Sequence, residues 1–121
     1  MSTAVHCWLV DAAQRIDAAL GPARVQRIVL PPLADKPGRE GEFCAVQLDD
    51  GSVGLAFTLL DGTLAALHAR GDRGQVGRMA MELVHGHAEG DGAGRALCLA
   101  AINALTRRLY DRAGFVADNS I

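Results

Sequence analysis

The stretch GRALCLAAINALTRRLYDR, Gly94 to Arg112, decides the fold. Its apolar positions Cys98, Ala101, Ile102, Leu105 and Leu109 recur at helical spacing. Leu97, Ala100 and Ala104 widen that stripe until the first half is apolar almost all round. A helix of this kind is the buried centre of a small domain. One polar residue, Asn103, interrupts it, and an amide in an apolar helix costs free energy unless it is hydrogen-bonded. Two readings stay open. Asn103 ties the helix to a backbone segment near a hairpin, or it faces a cleft and binds a ligand. Arg107, Arg108 and Arg112 fall on the last turns, where cations suit the negative end of the helix dipole.

Upstream lies a hairpin. EFCAVQL and SVGLAFTLL, within Glu42 to Leu60, flank Asp49-Asp50-Gly51. A two-residue turn at Asp50-Gly51 predicts Leu48 opposite Val53, Val46 opposite Leu55 and Cys44 opposite Phe57, all apolar and on one face. The other face then carries Gly54, Ala56 and Thr58, small side chains that suit a close backbone or a ligand.

The remaining chain reads as one domain. Ser2 or Thr3 caps a first helix, whose apolar positions are Val5, Trp8, Leu9, Ala12, Ile16, Ala19 and Leu20. Gly21-Pro22 ends it. Arg24 to Leu30 is rich in Val and Ile and reads as a strand, stopped by Pro31-Pro32. Leu33 to Gly41 is a loop by composition. Thr63 to Ala69 is a short helix or an irregular crossing. Gln75 to His85 predicts a helix with Val76, Ala80, Leu83 and Val84 inward.

Composition narrows the function. The chain has 121 residues, half of them hydrophobic, a net charge of −2, and only one Trp, one Tyr and three Phe. The core is therefore aliphatic. Without a basic patch, nucleic-acid binding is disfavoured. No stretch has the length of a membrane span, and the N-terminus lacks the basic start of a signal peptide. Three cysteines (Cys7, Cys44 and Cys98) lie in apolar contexts without CxxC spacing, which points to a reducing cytoplasm. Cys44 and Cys98 read as coreward and inert.

The glycine-rich run His85 to Gly94 precedes the long helix. It has no GxxxxGK[ST] pattern, so a phosphate loop is not indicated. His85 and His87, with Glu89 and Asp91 nearby, are candidate donors for a transition metal such as zinc, nickel or iron. No complete catalytic set is visible, and whether the chain is an enzyme stays open.

Two motifs look familiar together. Asp50, Gly51, Gly54, Leu55 and Ala56 form a DGxxGLA hairpin, and Leu99, Ala100, Asn103, Ala104 and Leu105 form an LAxxNAL helix. As a pair they resemble the N-terminal domain of the prokaryotic heavy-metal chelation family. The resemblance implies an α+β, enolase N-terminal-like fold: a small three-stranded antiparallel sheet with an N-terminal helix and C-terminal helices packed on it. It also implies a second, Rossmann-like domain, expected to begin where this chain stops at Ile121, with a ligand site between the two. On that basis residues 1–121 are one domain contributing half of an interdomain cleft. Asn103, Gly54 and Thr58 are its ligand-binding candidates. A partner chain, including a second copy of this one, is the other way to complete the cleft. The rival expectation is a non-catalytic interaction or dimerisation module.

Overall fold

The computed structural model describes residues 3–31, 43–58, 63–70, 74–86 and 92–114. The elements run α1 (Thr3–Leu20), β1 (Val25–Val29), β2 (Phe43–Leu48), β3 (Val53–Phe57), α2 (Thr63–Arg70), α3 (Ala80–Gly86) and α4 (Gly92–Arg112). The strands form an antiparallel sheet in the order β1-β2-β3. The fold is α+β, as expected. The ambiguous Thr63 segment is helical. None of the described helices is long and apolar enough to cross a membrane.

α4 lies across the inner face of β3 and β2, and α1, α2 and α3 pack around it. Its buried positions include Leu97, Cys98, Ala101, Ile102 and Leu105, the stripe read from the sequence. They meet Val25 of β1, Cys44, Val46 and Leu48 of β2, and Leu83 and Val84 of α3 in one core. α1 ends as expected: Gly21 adopts a φ of +87° and its N–H donates to Asp17 O at 2.9 Å. In β1 the pairing shifts between Val25 and Arg27, a bulge that lets both Val25 and Ile28 reach the core. α3 is shorter than predicted. Glu82 Oε1 accepts the Met79 N–H at 3.1 Å, so the helix starts after Met79, and Val76 falls outside it, exposed. α1 packs through Leu9, Val10, Ala13 and Ile16, so Trp8 turns outward and is 69% exposed.

The hairpin register corrects the sequence expectation. Leu48 does not face Val53; Gln47 does, and Val46 faces Gly54, Ala45 faces Leu55, Cys44 faces Ala56 and Phe43 faces Phe57. The loop has three residues rather than two. The Gly51 N–H donates to Leu48 O at 2.9 Å, and the Leu48 N–H donates to Ser52 O at 2.8 Å. Gly51 at a φ of +92° takes the left-handed position that closes a three-residue loop. One added loop residue turns β3 over. Gly54 and Ala56 now face α4, and Val53, Leu55 and Phe57 face outward.

Candidate functional site

The two motifs that carry the family resemblance meet in one joint. A Cβ built on Gly54 would stand 2.2 Å from Ala100 O and from Ala104 N, and 2.8 Å from Asn103 C. The backbone of α4 therefore lies directly on β3, which only glycine permits at this position. Ala56 continues the small surface and is buried. Asn103 Nδ2 donates to Leu55 O at 2.7 Å. Because Leu48 and Ser52 form a hydrogen-bonded pair, alternation turns the peptide groups of Val53, Leu55 and Phe57 away from β2. Asn103 thus satisfies an acceptor on the open edge of the sheet. It sits on the exposed side of α4, tied to the hairpin backbone, and its Oδ1 has no partner among the described residues. Thr58 is buried where β3 ends. Gly54 and Asn103 therefore meet at the β3–α4 joint, and Thr58 lies just past the end of β3.

A second polar feature went unread in the sequence. Arg108 is only 5% exposed. Its Nη1 donates to Gly21 O at 2.6 Å, Nη2 to Leu20 O at 3.2 Å and Nε to Asp50 Oδ2 at 3.2 Å. One guanidinium thus joins the end of α1, the hairpin turn and α4. The Ser52 N–H donates to Asp50 Oδ1 at 2.9 Å. Partial burial pushes the Asp50 carboxyl up. The hydrogen bonds from Ser52 and the Arg108 charge outweigh that and hold it below its ordinary value. The sequence grouped Arg108 with Arg107 and Arg112 as cations at the negative end of the helix dipole. What separates it is the Leu20 and Gly21 carbonyl pair where α1 ends, which no local pattern on α4 contains.

His85 lies at the end of α3, where its Nε2 is 3.1 Å from Gln14 Nε2 of α1. With the amide nitrogen donating, the imidazole nitrogen accepts. His87, Glu89 and Asp91 lie outside the described residues. Among the described residues no three His, Cys, Asp or Glu side chains gather as a metal ligand set. His85 is tied to α1, which leads to β1, whereas Asn103 is tied to β3, with β2 between the two strands. Among the described residues no hydrogen bond joins the histidine and amide candidates.

The buried thiols favour the protonated form. Burial pushes the Cys44 thiol up to about 11, and burial also raises Cys98, whose Sγ donates to Val84 O at 3.4 Å. At pH 8 the Cys44 thiolate fraction is roughly one part in a thousand, which makes it a poor nucleophile. Cys7 is exposed. A thiol-exchange reagent is therefore expected to titrate Cys7 quickly in the folded chain, and Cys44 and Cys98 only after denaturant is added. Rapid reaction of all three would contradict the burial.

No curated protein and no solved structure matches this chain. A family model matches residues 41–106, from the start of β2 to the Asn103 turn of α4. That span is more than half of the chain and holds both sides of the β3–α4 joint. The chain belongs to the family described as "putative heavy-metal chelation".

Proposed function

We propose that this chain is one wall of a heavy-metal or small-ligand chelating unit, whose other wall comes from a further domain or a partner chain. The observation that carries this reading is Asn103, held at the open edge of the sheet by Leu55, its amide oxygen without a partner among the described residues. An amide oxygen fixed in this way is a preorganised acceptor for a hydrated cation or a ligand N–H. Thr58 at the end of the same strand and Gly54 beneath the helix are the neighbouring parts of that wall. Family membership and the match over this seam support the reading. The order helix, strand meander, helices is compatible with an enolase N-terminal-like architecture, which we keep as part of the proposal. His85 with His87 is a second donor pair, and the metal is cargo rather than a resident cofactor. The free thiols suit a reducing cytoplasm.

Calorimetric titration with zinc and nickel tests this. Stoichiometric binding is expected, weakened at least about tenfold in Asn103→Ala. The same substitution is expected to cost only about 1 kcal/mol of stability, the net worth of one hydrogen bond. Binding unchanged in Asn103→Ala, alongside lower stability, would leave Asn103 a purely structural tie. No binding of either metal would favour a non-catalytic interaction module.

A further inference from the structure

The outer face of the sheet is apolar where water is expected. Val29, Phe43, Val53, Leu55 and Phe57 lie on it and are 40–59% exposed. The register places all five on one side: Val29 faces Ala45, Ala45 faces Leu55, Phe43 faces Phe57 and Gln47 faces Val53. The Phe43 and Phe57 rings stack with centroids 4.7 Å apart. An antiparallel sheet with one solvated face ordinarily alternates apolar-in with polar-out, and β3 breaks that rule. All described helices that pack on the sheet do so on its other side, through α4.

We infer that a second copy of this chain covers this face, sheet on sheet. The five residues expose on the order of 450 Å² together, the size of the largest apolar patch on a typical monomer, which is often functional. A standard interface takes about 800 Å² from each partner and is about 60% apolar. The apolar area on this face is what an interface of that size needs, with Arg27 at its polar margin. Charge suits self-association. Arg27 on the edge strand β1 is the one charged side chain among the described residues paired across this face. A two-fold axis running along the strands sets β1 of each copy over β3 of the other. It brings the β2 strands together, so the Phe43 rings meet near the axis, and it keeps the two Arg27 side chains at opposite margins. The alternative, edge-to-edge pairing through β3, is opposed by Asn103, which already occupies Leu55 O on that edge.

Sedimentation equilibrium in the presence of a chelator tests this independently of metal binding. Failure here therefore leaves the chelation reading standing, and failure of chelation leaves this one. Twice the single-chain mass is expected at micromolar concentration. Leu55→Glu should give the single-chain mass with an unchanged circular dichroism spectrum, because residue 55 is exposed in the fold. Phe57→Ser, a milder change, should weaken dimerisation at least about tenfold and decides the matter if Leu55→Glu fails to fold. A monomeric wild type would overturn the inference. So would a dimer that survives both substitutions, or assemblies that grow beyond two copies.

Discussion

Gly54→Ala is expected to destabilise the fold by at least about 3 kcal/mol, at or beyond the top of the usual overpacking range. The added methyl would stand 2.2 Å from a carbonyl oxygen and from an amide nitrogen of α4. Both are backbone atoms of a helix, so no rotamer change relieves the contact. Truncating Ala100 or Ala104 to glycine leaves those atoms in place and is expected not to rescue it. The helix must lift off β3 instead, which opens the joint that Leu97, Ala101 and Leu105 depend on for burial. In a domain of this size the loss should lower the melting temperature by about 10 °C or more. Leu55→Ala, one residue away but outward-facing, should cost far less in the monomer. Equal urea midpoints for Gly54→Ala and wild type would show that α4 does not lie where it is described.

Arg108→Met is expected to cost about 2–4 kcal/mol, whereas Arg107→Met should change stability by less than about 0.5 kcal/mol. The two arginines are adjacent in sequence and opposite in environment. Arg107 makes an exposed i,i+4 pair with Asp111 at 3.3 Å. Arg108 is buried, and its removal strands two α1 carbonyls and leaves Asp50 without its cation. Lysine is not a substitute, because one ammonium cannot span the three acceptors in the guanidinium plane. The pH dependence separates charge from packing. The Asp50 carboxyl is held below its ordinary 3.8 in the folded state. Its contribution is therefore fully present above that value and is lost as pH falls through the lower, folded value. The gap in urea midpoint between wild type and Arg108→Met should accordingly narrow between pH 7 and about pH 3. A gap that stays constant would assign Arg108 to packing and carbonyl capping alone.

Both predictions act where distant segments meet, and that is where reading the sequence and reading the structure part. Residues 94–112 carried their own answer. Leucine and alanine at three- and four-residue spacing make a helix apolar on most of its surface, and such a helix has to be central. Gly21 after Leu20 ends α1 because only a residue free of a Cβ penalty takes the left-handed position easily. The Val and Ile before Pro31, and the apolar segments on either side of Asp49-Asp50-Gly51, made three strands. Asn103 was legible as an anomaly, and one of its two readings, a tie to the backbone near the hairpin, is seen as the bond to Leu55.

The orientation of β3 was not contained in its own residues. Asp49-Asp50-Gly51 can close a two-residue or a three-residue loop, since both use a glycine at positive φ. Each solution gives an alternating strand, with either Val53, Leu55 and Phe57 or Gly54 and Ala56 inward. Apolarity alone favoured the larger set. What selects the smaller is α4, whose alanine-lined backbone comes so near the sheet that only glycine and alanine fit beneath it. The same holds for Arg108, since a guanidinium among arginines is buried only because α1 ends beside it. Local spacing chooses helix or strand through backbone geometry, but which side of an element faces inward depends on the shape of what lands on it.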